Sequence, residues 1–213
     1  MQKYAQEFSQ ILQAENKEKA VEYALNLLKD EKVDVLSLYS EILLPSLNNM
    51  YCLLSEKDVC IWKEHVRTAI IRTTLECCYP YVIDMRNKKA NSKKGTAVIL
   101  CPPEEYQDLE ARLISDYLTI LGYNSIFVGS NTPYADFYNA ADKIKPEIIV
   151  ISVSNYYNLV ATKKIIKELR EKTLCKIMVC GYAFSANPDN VAMVGADYYV
   201  DKYDALKSIA ERI

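Results

Sequence analysis

The chain has 213 residues, half of them apolar, with a formal net charge of −2. That length suits one large or two small domains, and the charge balance gives no electrostatic footprint for nucleic acid. The apolar runs are short and broken by charges, so none reads as a membrane span, and MQKYAQEFSQ at the start lacks the apolar core of a signal peptide. A cytoplasmic protein is expected. The seven cysteines form no C-x-x-C and read as reduced thiols, mostly buried, with the pair Cys77 and Cys78 serving helix packing. Seventeen tyrosines are many for this length, and the sequence assigns them no common chemistry.

Residues 1–88 show helical periodicity only. Tyr4, Phe8, Ile11 and Leu12 mark one helix, and Val21, Ala24, Leu25 and Leu28 mark a second. A third is predicted over 33–53, with Leu36, Tyr39, Leu43, Leu47 and Met50 on one side and Pro45 kinking or restarting it. The fourth is expected to start at Asp58 as N-cap and to run towards Tyr79 and Pro80. Together these suggest a small four-helix bundle. A polar, lysine-rich stretch, NKKANSKKG, follows, and 89–95 reads as a surface linker.

From residue 96 to 213 strand and helix patterns alternate. Strands are predicted at 97–101, 125–129, 148–153, 176–180 and 198–200, and helices near 105–121, 134–143, 159–170, 187–194 and 204–213. That order gives an α/β domain with a five-stranded parallel sheet of the flavodoxin or Rossmann kind and right-handed crossovers. The loop after the first strand lies at the carboxyl edge of the sheet, where open α/β folds bind ligands. Its text, EEYQDLE, has no glycine, so neither a dinucleotide fingerprint nor a phosphate-cradling loop is present.

At a longer scale this second domain resembles the cobalamin-binding domain family. That family's pattern is an acidic residue, any residue, His, two residues and Gly, then a long gap to Ser-x-Leu or Ser-x-Thr, then a second gap to Gly-Gly. Here Glu105 takes the acidic position, Gln107 the His position and Glu110 the Gly position. A gap of 41 residues leads to Ser152-Val153-Ser154, and one of 25 to Cys180-Gly181. CPPEE, LGYNSIFVGSNTP and VGADYYV match as well, so the resemblance covers the whole domain. The bundle looks like the helical cap of methionine-synthase-like and photoreceptor-like relatives. LLPSLNNM matches its proline-containing helix, and Glu64-His65 matches the Glu-His that closes a Trp-led signature over the upper face of the corrin. The Trp position falls on Leu54, and the only tryptophan, Trp62, is displaced.

The resemblance implies a corrinoid ligand and a set of contacts: Leu54, Glu64 and His65 from the cap, then Glu105, Tyr106, Gln107, Glu110, Ser152, Ser154, Cys180 and Gly181. In the family the loop His is the lower cobalt ligand and the glycines leave room for the nucleotide tail. Gln107 is a poor cobalt ligand, and Glu110 and Cys180 put side chains into that room. The expectation is therefore a non-catalytic sensory or regulatory module binding cobalamin with its own base attached, or haem as another tetrapyrrole. The alternatives are a corrinoid carrier for a methyltransferase system and a ligand-free protein-interaction module. A regulator or methyltransferase is the expected partner.

His65, the chain's sole histidine, reads either as an upper axial ligand to the metal or as a partly buried helix residue. Ser152 and Ser154 have no second histidine to activate them as nucleophiles and are expected to line the third strand's edge. Tyr106, Tyr156, Tyr157 and Tyr182 fall on loops at that edge, either to stack on a planar ligand or to cover the sheet's end. One histidine and scattered cysteines give no spacing for a metal site of protein ligands alone.

Overall fold

The computed structural model describes residues 1–48, 54–89 and 93–213, the side chains of 48 and 54–56 excepted. The chain divides into two compact units, Met1–Met85 and Arg86–Ile213.

In the first unit α1 spans Gln2–Gln13 and α2 spans Lys17–Lys29, the latter capped by Asn16, whose side chain accepts from the Lys19 N–H at 2.9 Å. The next helix is a composite. Asp34 caps α3 (Val35–Ser37), a π-helical segment runs Leu38–Leu43, and α4 covers Leu44–Asn48. Pro45 explains the wide segment. It brings no N–H and its ring crowds the carbonyl a turn earlier, so the helix widens there instead of breaking. The Leu44 N–H reaches Tyr39 O, five residues back, and the Ser46 hydroxyl donates to Ile42 O at 2.7 Å. The far end of the predicted helix, including Met50 and Leu53, lies outside the described residues, as do linker residues 90–92.

A 3₁₀ turn, Leu54–Val59, precedes α5 (Cys60–Cys77). Asp58 is therefore inside that turn, and Val59 is the N-cap, a correction to the expected start. Pro80 does not end the helical region either. A further helix, α6, spans Tyr79–Lys88 and takes Pro80 in its first turn, where a missing N–H costs nothing. The core of this unit is Phe8, Leu12, Leu38, Tyr39, Ile42, Leu43 and Leu75, all essentially solvent-free.

In the second unit five strands form one parallel sheet in the order β2-β1-β3-β4-β5: β1 Thr96–Leu100, β2 Asn124–Gly129, β3 Ile148–Ser152, β4 Lys176–Cys180 and β5 Tyr198–Tyr199. β1 and β3 are apolar and almost wholly buried, as strands covered on both faces must be. The connecting helices are α7 Leu109–Ile120, α8 Tyr134–Ile144, α9 Asn158–Lys172, the short α10 Tyr182–Ser185 and α11 Asp189–Val194, with α12 Tyr203–Ala210 last. The predicted helix at 105–121 begins four residues late, and the one at 187–194 is two short helices. One core lies between β1, β3 and β4 and the helices α8, α9 and α11, around Leu100, Phe137, Ile151, Ile166 and Val179. α7 is buried on every side except at Glu110, so its polar residues pair internally: Arg112 with Asp116, and Ser115 with Ser125 at 2.8 Å.

Cys60 is disulfide-bonded, which corrects the expectation of seven free thiols. Cys77, Cys78, Cys101, Cys175 and Cys180 are thiols outside any disulfide, and only Cys77 of these is exposed. Brief maleimide treatment of the native protein, followed by peptide mass mapping, is therefore expected to label Cys77 and leave its neighbour Cys78, and Cys180, unmodified. Rapid labelling of Cys180 would contradict the packed end of β4.

Candidate ligand site at the carboxyl edge of the sheet

The chain order reverses between β1 and β3, which makes the carboxyl ends of these strands the crevice of the fold. Two loops meet there, 101–108 after β1 and 153–157 after β3. Glu105 joins them. Its carboxyl is buried, and Oε2 accepts from the Ser154 N–H at 3.0 Å, the Asn155 N–H at 2.9 Å and Asn158 Nδ2 at 3.1 Å. Oε1 accepts from the Gln107 N–H at 3.2 Å. Hydrogen bonds to a carboxyl group of this kind fasten both loops, and its removal would take the protein partner from all four donors, the buried Asn158 amide among them.

The loop is braced from β2 as well. The Asn131 N–H donates to Glu105 O at 2.9 Å, and its side chain accepts from the Glu104 N–H at 2.9 Å. Both residues sit in the left-handed region, Asn131 at φ 52° and Glu104 at φ 64°. Asparagine adopts that conformation readily; glutamate does so at a cost that the bracing offsets.

Glu110 makes the second cross-connection. It stands in the first turn of α7, half-buried, and its Oε1 accepts from the Gly181 N–H at 3.2 Å. Burial pushes its carboxyl up to about 7; the Gly181 N–H works against that, and Asp201 adds to it. Gly181 is held at φ 108°, and a Cβ there would lie 2.2 Å from Val153 O, so this position takes no side chain. Cys180 beside it is fully buried, and burial holds its thiol well above the ordinary range. Ser152, opposite Cys180 in the ladder between β3 and β4, is also fully buried, and its hydroxyl works against that rise.

Glu105, Gln107 and Ser154 are thus brought together, as are Glu110, Cys180 and Gly181. The Gln107 side chain is exposed, the Cys101 thiol facing its backbone carbonyl at 3.9 Å. Ser152 lies inside the sheet rather than on an open edge, and Ser154 is half-buried with its N–H on Glu105. Glu64 and His65 are exposed on α5 in the helical unit, which corrects the reading of His65 as partly buried. The side chain of Leu54 lies outside the described residues. Tyr106, Tyr156, Tyr157 and Tyr182 are all exposed. Sequence reasoning missed Asn131, Asn155 and Asn158. Their signal was the turn chemistry of GSNTP and SNYYN, each directly after a strand.

Among the described residues no group of three or more acidic, histidine or cysteine side chains is placed to hold a metal ion, and no helix is long and apolar enough to cross a membrane.

The chain is thus a parallel α/β unit with a loop-built crevice, preceded in sequence by a helical unit. Residues 95–206 match the family model described as the B12 binding domain, and the chain belongs to that family. The fold is similar to the monomethylamine corrinoid protein of Methanosarcina barkeri, with a TM-score of 0.84, 16% identity, and 100% of this chain and 99% of that chain covered. A chain of the methanol:cobalamin methyltransferase complex from Methanosarcina barkeri matches at a TM-score of 0.51 and 18% identity, over 96% of this chain and 77% of that one. At these identities the likeness is one of fold. No curated protein sequence matches the chain.

Two predictions come from the carboxylates. Glu105→Ala leaves several N–H donors unmatched and is expected to lower unfolding free energy by about 3 kcal/mol in urea titrations; a loss under ~0.5 kcal/mol would show that the loops do not depend on it. For Glu110 the raised folded-state value means the folded protein favours the neutral acid. Its destabilising contribution is absent below the unfolded value and complete above about 7. Glu110→Gln should therefore be more stable than wild type at about pH 8, by up to roughly 3 kcal/mol, with the gap closing towards pH 4.5. A gap independent of pH would contradict the burial of this carboxyl.

Proposed function

We propose that the protein is a corrinoid-binding protein of the carrier kind, serving a separate methyltransferase and performing no catalysis of its own. The observation that carries this reading is the B12-binding family match over 95–206 combined with a fold likeness to a corrinoid protein through the full length of both chains. The methyltransferase partner is drawn from the likeness to a chain of a cobalamin methyltransferase complex. The corrinoid, when bound, supplies the one-carbon chemistry; the chain supplies a place to hold it.

The residues do not fit one mode of holding it. Gln107 offers an exposed amide where the family's pattern has a histidine. The carboxyl of Glu110 reaches across to Gly181, and buried Cys180 stands where the pattern has a glycine. The nucleotide tail of a cobalamin is thereby kept out of the space between α7 and β4, and the protein takes its ligand with the lower base on the cobalt or without that base. Among residues of the helical unit, His65, Glu64 and Leu54 are proposed as ligand contacts, and the His65 imidazole would supply a nitrogen donor suited to the metal. Nothing in the family match or the fold favours haem.

A sensory or regulatory module is the second reading, favoured by Gln107, because an imidazole is the ligand by which the family's carriers control the cobalt. It predicts a change of oligomeric state or of partner binding when ligand is added, which light scattering on the loaded and unloaded protein detects.

The test is an absorbance titration of the full chain with hydroxocobalamin, adenosylcobalamin and haemin, followed by desalting. About one corrinoid retained per chain, with a base-on spectrum and no haemin retained, is the expected result. No corrinoid retained would leave the chain an interaction module. His65→Ala is expected to abolish any change in the cobalt spectrum that the wild type produces. Gln107→His with Glu110→Gly is expected to raise cobalamin affinity and move the spectrum towards base-off; unchanged binding in that double variant would remove Glu110 as the obstacle.

A further inference from the structure

Four tyrosine rings stand in solvent at the carboxyl edge of the sheet. Tyr106 is 69% exposed, Tyr156 46%, Tyr157 89% and Tyr182 62%. Aromatic rings normally bury about 150 Å² or more, so several exposed on one edge mark a surface that meets something. They come from three loops, after β1, β3 and β4, and these strands are neighbours in the sheet.

The loops are fastened to one another beneath the rings. Glu105, next to Tyr106, takes the backbone N–H groups of Ser154 and Asn155, which lead directly into Tyr156. The Val153 N–H donates to Cys180 O at 2.9 Å, the Ala183 N–H donates to Val153 O at 3.2 Å, and Glu110 holds the Gly181 N–H, so the start of α10 with Tyr182 is tied to the loop after β3 and to α7. Tyr156 and Tyr182 already pair edge to face, centroids 6.2 Å apart. Tyrosine has two side-chain torsions to fix, and a braced backbone leaves little more to order on binding.

What these rings meet must suit loops that carry no histidine of their own, at 101–108, at 153–157 and after β4. We infer that Tyr106, Tyr156 and Tyr182 form a stacking seat for the lower side of a corrinoid, the T-shaped pair of Tyr156 and Tyr182 meeting it with one ring's face and the other's edge, so that aromatic contact takes the place of a metal–histidine bond. This rests on the corrinoid reading given above and adds to it the residues that hold the ligand and the manner of holding. A seat of this kind takes a corrin with its own base still on the metal, or one lacking the nucleotide altogether, and leaves the lower coordination position of the metal untouched by protein.

The experiment is equilibrium dialysis of the full-length protein against hydroxocobalamin and, separately, dicyanocobinamide, with absorbance spectra of each complex. The wild type is compared with Tyr156→Ala/Tyr182→Ala, Tyr156→Phe/Tyr182→Phe and Gln107→Ala. The alanine pair is expected to weaken binding at least tenfold, the phenylalanine pair to keep it within about twofold, and Gln107→Ala to leave the spectrum of the complex unchanged. Both replaced rings lie at the surface, so melting temperatures should agree among the variants to within a few degrees.

Wild-type affinity retained in the alanine pair would overturn the stacking seat while leaving corrinoid binding intact. A spectrum altered by Gln107→Ala would overturn it too, by showing a protein ligand on the lower side. Failure of the wild type to bind either probe would overturn the corrinoid reading and this inference with it.

Discussion

The two loops that form the crevice are joined through one buried carboxyl. Glu105 lies where the strand order reverses, and it accepts from three backbone N–H groups and one side-chain amide. The loops after β1 and β3 would each carry unmet donors without it, and a buried donor left unmet is expensive. The shape of the crevice is thus set by a polar group that the sheet has enclosed, not by the packing of apolar side chains. Glu110 repeats the device one strand further on, joining the first turn of α7 to the glycine after β4.

The two connections differ in character. Glu105 has donors for both its oxygens. Glu110 has one backbone donor and lies near Asp201, so burial dominates its behaviour and its proton is held into the neutral range. The first is a brace with several donors, and the second is a brace whose charge depends on the medium. Gly181 joins them mechanically, because its backbone packs against Val153 too closely for any side chain.

Much of the α/β unit was legible in the sequence. β1 and β3 are unbroken β-branched runs between turn residues, and such runs have few other uses. The start of α7 was not legible, because Glu105, Gln107 and Asp108 look like first-turn helix residues. In the folded chain Glu105 turns instead to the loop after β3, and the helix waits until Leu109. Asn158 was missed for a related reason: its role is set by a partner 53 positions away, which no local pattern reports. The helical unit was read coarsely. Pro45 reads as a kink or a restart, and the helix widens ahead of it and resumes as α4 at Leu44; Pro80 reads as an ending and stands in the first turn of α6.

Glu105 also settles what else this edge can accept. Backbone N–H groups at the end of a parallel strand are the usual means by which such sheets capture phosphate groups. Here those of Ser154 and Asn155 are already turned onto a carboxyl that belongs to the chain. The protein carries its own acceptor oxygen in the position a nucleotide's phosphate would seek, so a flavin or nucleotide cofactor arriving at this edge would find its anchoring donors engaged.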